Sequence, residues 1–508
     1  MPFCLSFQFV RRACYNDTDS KRGETMYDVL VIGGGPAGVT AALRARELGA
    51  SVALVERGQM GGTCTNDGCV PTRVLARAAR LIRDSRQFAD YGLFINEPPE
   101  VDFVHVLKRA QQVVYQIHEK KQLIEHLHEV QAEVFAGVGD ARFVDPHRLQ
   151  LGDGQTLEAE RFIICVGGSP RRLPFPGAEF ALTHSDVWRM NSLPASVVVV
   201  GGGATGCQLA SVFAAFGAKV TLMDVAPRIL LTEDKDVADA IARSFRGHDI
   251  DLITGIETLS RIDEAGREYR LVYRKDGQEQ ALETGAVVLS VGWPGNVEAL
   301  NLPAAGVEVD RSYIRVNDYL QTSADHIYAA GDITGRMMLV QSASSQARAA
   351  AENALLDDKR QSAHRLVPHG GFTDPEYGGV GLTEEQARGR NDVAVAVVPY
   401  ADLDRAVIDG HTEGFCKLIV ERATGQIIGA HVVGEQALEV VQMVASGIAG
   451  GLNVQQLAEL ELAYPTFAAI VGLAARQLVR ELGAVRVAPE WQALKQLRGA
   501  EWERKEEF

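Results

Sequence analysis

Two thiols placed close together are chemically the most informative residues of this chain. Cys64 and Cys69 stand five positions apart in the stretch GGTCTNDGCVPTR, among glycines and turn-forming residues. Such a pair has three uses: a redox-active disulfide, half of a metal site, or two small core residues. A structural zinc needs four ligands, usually as two close pairs. No second pair at ligand spacing occurs, and the HLH at His126 to His128 has no counterpart, so no metal site is expected. In regular helix, Cα atoms five apart lie roughly 8–9 Å from one another, whereas a disulfide needs less than about 7 Å. A bridge therefore requires the backbone to leave the helix between the thiols. TNDG supplies turn residues there, and Gly68 tolerates unusual dihedrals. The spacing permits the disulfide without proving it. The other five cysteines (Cys4, Cys14, Cys165, Cys207, Cys416) are scattered singly, which is not a secreted disulfide framework. A reducing, cytoplasmic setting is expected.

The elements that must position these thiols can be read around them. YDVLVIGGGPAGVTAALRARELGASVALVE reads as a buried strand, a tight turn, a helix and a second strand ending in Glu56. Gly33, Gly35 and Gly38 complete G-x-G-x-x-G. The first glycine allows the turn, the second lets backbone approach a pyrophosphate, and the third lets helix pack on strand, while the helix N-terminus attracts phosphate. Glu56 is placed to bind a ribose hydroxyl. SVVVVGGGATGCQLASVFAAFGAKVTLMD repeats the pattern with Gly201, Gly203, Gly206 and Asp224. Two dinucleotide sites are therefore expected. Asp224 favours a free 2′-hydroxyl, hence NADH over NADPH, although Arg228 four residues on could meet a 2′-phosphate. Further along, IYAAGDIT ends a strand at Gly331-Asp332, where an acid can hold a polyol or ribose hydroxyl or cap a helix. FIICVGGSPRRLPFPG and VVLSVGWPGN each run from strand into glycine and proline, as at crossings between domains.

The chain has 508 residues and a net charge of −15, which argues against non-specific binding to nucleic acid or anionic membrane. No apolar run reaches the roughly 18 residues needed to span a bilayer. Residues 1–25 precede a second methionine, Met26, and read as a disordered extension or an over-long start, with targeting the lesser alternative. The end, from 485 to 508, reads as a charged tail.

These motifs together resemble the flavoprotein disulfide reductases, the pyridine nucleotide–disulfide oxidoreductase family of dihydrolipoamide dehydrogenase, glutathione reductase and mercuric reductase. The resemblance rests on the two fingerprints, GGTCTNDGCVP, IYAAGD and FTDPEYGGVGLTEEQA, in the family's order from Tyr27 to Leu482. It implies an α/β fold with two Rossmann-like domains of glutathione-reductase type and an α+β dimerisation domain. The implied boundaries are 26–165 and 315–360 for FAD, 166–314 for NAD(P), and 365–484 for a homodimer interface. It places FAD against Gly33, Gly35, Pro36, Ala37, Gly38, Glu56, Gly62, Thr63, Gly167, Gly331, Asp332, Met338, Leu339 and Val340. It places NAD against Gly201, Gly203, Gly206, Asp224 and Gly292. It makes Cys69 the flavin-side thiolate and Cys64 the outward thiolate that exchanges with substrate.

Three departures narrow the expectation. Dithiol-handling members end in His-Pro-Thr followed by Glu; here Tyr464 stands at the His position and Ala468 and Ala469 where the Glu would be. A tyrosine, with an ordinary pKa near 10, is a poor base at neutral pH, and it can instead hydrogen-bond, contact a metal or quinone, or simply pack. The family's lysine after the second cysteine is Arg73, and its glutamate partner falls at Gln208. The exchange is expected to leave Arg73 with one fewer compensating negative charge. Small Ala204 and Thr205 are expected to leave the nicotinamide approach open. The expected activity is transfer from NADH through FAD and Cys64–Cys69 to a non-standard acceptor: a metal ion such as Hg(II), a quinone or an unusual disulfide. Pyridine nucleotide transhydrogenation, redox sensing and low dihydrolipoamide turnover remain alternatives.

Overall fold

The computed structural model describes residues 26–97, 99–362, 366–390 and 392–485; the expectations for residues 1–25 and for the tail beyond 485 lie outside it. The runs VLVI and VVVV are apolar at every position because helices or loops cover both faces of their sheets. Strand Met26–Ile32 lies between Val52–Glu56 and Thr156–Ile164, all parallel, and Ile327–Ala329 joins the far side of Thr156–Ile164. A segment three hundred residues downstream thus completes the first sheet. Helices Pro36–Glu47 and Val340–Leu355 cover one of its faces. Their contact is made of small residues, among them Ala41, Ala45, Ala347 and Ala351, all buried, which lets the two backbones approach.

The second sheet is parallel in the order Ile250–Thr254, Lys219–Asp224, Ser196–Val200, Ala286–Leu289, Leu182–Thr183. A three-stranded antiparallel ribbon, Thr258–Ala265, Glu268–Lys275 and Gln278–Thr284, stands beside it. The C-terminal part is a five-stranded antiparallel sheet, His369–Gly371, Tyr377–Gly381, Ile427–Val433, Phe415–Glu421 and Val393–Pro399. Helices Ala437–Ala449 and Ala469–Glu481 bury apolar faces against it.

A buried ion cluster ties the second sheet's unit to the third. Lys417, 1 % exposed, reaches Asp234 and Glu384, each at 2.8 Å, and Asp236 at 2.5 Å. Burial opposes the charge of Lys417, but its three carboxylate partners outweigh that and raise its pKa. Among the described residues no helix is long and apolar enough to cross a membrane.

Candidate active site

The backbone between the two cysteines does leave the helix. A short helix, Gly62–Asn66, ends at Asp67, whose φ is −147°, and a 17-residue helix starts at Cys69. Gly68 turns against the first helix so closely that a Cβ there would lie 3.1 Å from the Thr63 carbonyl oxygen. The loop is pinned from outside: the Trp188 indole donates to the Asp67 carbonyl at 2.9 Å, and the Asn66 amide to the Met60 carbonyl at 3.1 Å.

Cys64 and Cys69 are thiols within hydrogen-bond reach of each other. The Cys64 S–H donates to Cys69, and this bond, with burial and the charge on Cys69 behind it, pushes Cys64 far up. The same bond brings Cys69 down to about 7, against burial and assisted by a backbone N–H. Cys69 is also the first residue of its helix, where exposed N–H groups favour an anion. The direction is that Cys69 is the more acidic thiol of the pair and Cys64 the less.

Both thiols line a cavity of about 870 Å³, at the upper end of typical ligand sites of about 300–1,000 Å³. Gly33, Gly35, Pro36, Ala37, Glu56, Gly62, Thr63, Gly167, Gly331, Asp332, Met338, Leu339 and Val340 line it too. Gly38 lies beneath: a Cβ there would fall 1.7 Å from the Gly33 carbonyl oxygen, so helix and turn meet only through glycine. Gly33 has φ +108°. The Glu56 carboxylate accepts from the Gly34 and Gly58 amides at 2.7 and 2.8 Å, which aims it at the mouth of the turn. Asp332 is pushed up by burial, as suits a carboxyl that meets a hydroxyl rather than a cation. A glycine cradle, a helix N-terminus and half-buried acids at both ends are a donor set that fits FAD. When bound, FAD supplies the two-electron carrier between nicotinamide and the dithiol.

The second fingerprint repeats the geometry. Gly201 has φ +109°, and a Cβ on Gly206 would lie 1.8 Å from its carbonyl oxygen. Asp224 accepts from the Gly202 and Ala226 amides. Gly203 has open space where its Cβ would stand, and Gly292, φ +127°, flanks Arg171. Ala204, Thr205 and Gln208, from the first turns of the following helix, reach the cavity of the thiols.

Arg73 and Tyr464 lie outside that cavity. Arg73 stands one turn beyond Cys69 on the same helix and lines a second cavity with it, 4.2 Å over the Phe372 ring and 2.9 Å from Glu376. The missing negative charge expected from Gln208 is thus supplied by Glu376, which also pairs with Arg80. Gln208 instead accepts from the Phe372 amide at 3.1 Å and donates to the Ala204 carbonyl at 2.9 Å. Tyr464, half exposed, donates to Asp404 at 2.7 Å.

Sequence reasoning passed over Glu376, Asp404 and a further pair at the cavity wall, His369 with Glu233. His369 Nε2 lies 3.1 Å from the Glu233 carboxylate, and Nδ1 lies 3.2 Å from the Val367 carbonyl. Both partners only accept, so both ring nitrogens carry protons. Burial works against that charge, but Glu233 and the carbonyl outweigh it, and the His369 pKa is raised. Glu376 stands in the FTDPE run, where a buried acid after proline was the available signal; Asp404 and His369 carry none.

Two nucleotide folds sharing one cavity with a polarised dithiol define a flavin- and nicotinamide-dependent disulfide oxidoreductase. The chain belongs to the pyridine nucleotide-disulphide oxidoreductase family, whose profile matches residues 27–347, with the family's dimerisation domain matching 367–475. It is 34 % identical over 453 residues to a mercuric reductase from Staphylococcus aureus, covering 88 % of this chain and 82 % of that one. It is 32 % identical over 471 residues to a dihydrolipoyl dehydrogenase from Chlorobaculum parvum, covering 91 % and 99 %. Among solved structures, the HOCl-induced flavoprotein disulfide reductase RclA from Escherichia coli superposes with a TM-score of 0.79 at 28 % identity, covering 88 % of this chain and 99 % of that one. A Cu(II) complex of RclA matches equally well. The family implies binding of FAD and NAD(P), and the dimerisation domain supports a homodimer.

Proposed function

We propose that this protein passes two electrons from NADH, through FAD and the Cys64–Cys69 pair, to an acceptor other than the ordinary disulfides of its relatives: a metal ion, a quinone or an unusual disulfide. The polarised thiol pair carries this reading. Cys69 at about 7 is poised as the cavity-side thiolate, while Cys64 keeps its proton until an acceptor arrives. A tyrosine in place of the family's histidine argues against efficient dihydrolipoamide or glutathione turnover. Similarity to mercuric reductases, and to a protein whose Cu(II) complex has been solved, favours a metal ion among the acceptors. NADH is favoured because Asp224 is aimed by two backbone amides. In addition, the Arg228 guanidinium is committed to the carbonyls of Leu230, Leu231 and Glu233, at 2.8, 3.0 and 3.0 Å, rather than turned to a 2′-phosphate.

The test is an anaerobic NADH titration of the FAD-loaded protein, following the visible spectrum and counting free thiols. New thiols with a long-wavelength band and oxidised flavin support the reading. A bleached flavin with no new thiols places the cysteines outside the electron path and leaves a diaphorase or transhydrogenase.

A further inference from the structure

We propose that the second cavity, which Cys69 and Arg73 line together, binds a small amphipathic organic anion: an aromatic or aliphatic body with one carboxylate or sulfonate, the acid group held by Arg77 and Arg109. Only Cys69 and Phe372 are shared with the cavity of the nucleotides, so this site is independent of which acceptor the dithiol serves.

Helical spacing builds the walls. Helix Cys69–Ser85 sets Cys69, Arg73 and Arg77 on one line, four apart, with Val70 and Val74 on the line beside it. Helix Phe103–Lys121 buries Phe103, Leu107 and Ala110, and it gives Val106, Arg109, Val113 and Ile117 to the cavity. Together they bound about 740 Å³, within the range of small-molecule sites. No carboxylate lines this space, although the chain has 66 acidic residues against 51 lysines and arginines. The sequence carries the same bias locally. CVPTRVLARAARLIR holds four arginines before its first acid, Asp84, and FVHVLKRAQQVVYQIH holds Lys108 and Arg109 with no acid before Glu119.

Two of the lining arginines are already balanced. Arg73 and Arg80 both reach buried Glu376, and Arg80 also faces Glu435 at 3.7 Å. Arg77 and Arg109 are exposed, and among the described residues neither side chain has a hydrogen-bond or ion-pair partner. A guanidinium matches a carboxylate or sulfonate through two parallel N–H groups. An apolar floor excludes water and strengthens that attraction. An inorganic anion would leave Val74, Val106, Val113 and Ile117 bare, and a neutral apolar molecule would leave two cations without a partner. A ligand with both an apolar body and one acid group satisfies the whole site. Because Cys69 lines this cavity, a bound anion also covers the thiol from this side and sets a negative charge beside it.

The experiment uses the FAD-loaded protein and the fluorescent probe 8-anilinonaphthalene-1-sulfonate. One saturable site per chain is expected, and excess NADH should leave it filled. N-phenyl-1-naphthylamine, which has the rings without the sulfonate, should bind about tenfold more weakly or worse. Arg77→Gln and Arg109→Gln should each weaken the sulfonate probe about tenfold, and Arg77→Lys should recover part of the loss. Both side chains are exposed and unpartnered, so these variants should keep the parent flavin absorbance and melting temperature. Saturating probe should slow alkylation of Cys69 by iodoacetamide in the parent and leave it unchanged when both arginines are replaced. Absence of a saturable site, displacement by NADH, equal affinity for the neutral analogue, or unchanged affinity in both glutamine variants would each overturn the anion site. Probe binding that falls as the chains associate, followed by sedimentation, would assign this face to a second copy and overturn it as well.

Discussion

Replacing Cys64 by alanine tests the polarisation of the thiol pair directly. In the structure Cys69 titrates at about 7, and the largest cause is the hydrogen bond from Cys64. With Cys69 near 7, about half of it is thiolate at neutral pH. Cys64→Ala removes the donor and leaves burial, which raises the pKa, opposed chiefly by the backbone N–H. The pKa should then return to the ordinary thiol range of about 8.5 or above, and the thiolate share should fall to a few per cent or less. That is a loss of roughly tenfold to fiftyfold in nucleophilic Cys69 at pH 7. The assay is the rate of alkylation of Cys69 by iodoacetamide against pH, on fully reduced protein, with the labelled peptide identified by mass. The midpoint should move up by about 1–2 pH units. Cys64→Ser, which can still donate through its hydroxyl, should hold the midpoint closer to the parent value. A midpoint near 7 in Cys64→Ala would refute the reasoning, because the helix terminus alone would then account for the thiolate.

Gly38→Ala should abolish flavin retention, since its Cβ would fall 1.7 Å from a backbone oxygen that cannot move without unmaking the turn; flavin absorbance of the purified protein reads this out. Lys417→Met should cost about 3–5 kcal/mol in denaturant melts, because it leaves buried Asp234 without its cation. Burial is outweighed for Asp234 by the Glu384 backbone N–H and Lys417, and for Glu384 by Lys417 and Arg388, so both pKa values are depressed. Their contribution to stability is therefore present above about pH 4 and lost as pH falls through the depressed values. His369 behaves oppositely: its pKa is raised by Glu233, so its contribution is complete below about pH 6.5 and disappears as pH rises through the raised value. His369→Gln should flatten that slope in melting temperature against pH, with Glu233, Tyr377 and His431 the groups around the ring left unchanged.

What the sequence revealed and what it hid divide by range. Strands such as VLVI and VVVV were legible because two-sided burial demands an unbroken apolar run. The fingerprint glycines were legible because a tight turn and a helix packed on a carbonyl admit no Cβ. The break between the cysteines was legible in TNDG. The hairpin at Asp276–Gly277, where both residues have positive φ, was written in the sequence as an aspartate-glycine pair and was passed over. Ion pairs were not legible. Arg73 finds Glu376 three hundred positions away, and Lys417 finds Asp234 nearly two hundred away, with no period to announce either. Arg73 was expected to have one fewer compensating negative charge than the family pair; the carboxylate it does meet, Glu376, is shared with Arg80, because a guanidinium reaches whichever carboxylate the fold brings near.

The pairing of Arg73 bears on where the thiolate's stability comes from. Arg73 is paired to Glu376, and the causes that bring Cys69 down are the Cys64 S–H and a backbone N–H. What holds the negative charge is a neutral donor, the Cys64 S–H, together with backbone at a helix start. A thiolate held by its own partner thiol is released when that partner reacts, because forming a bond at Cys64 removes the hydrogen bond at Cys69. In the proposed function, reaction of Cys64 with an acceptor therefore raises the basicity and the nucleophilicity of Cys69 at the moment when Cys69 must displace the product. A thiolate stabilised by a fixed cation would keep its lowered pKa throughout and resolve the intermediate more slowly.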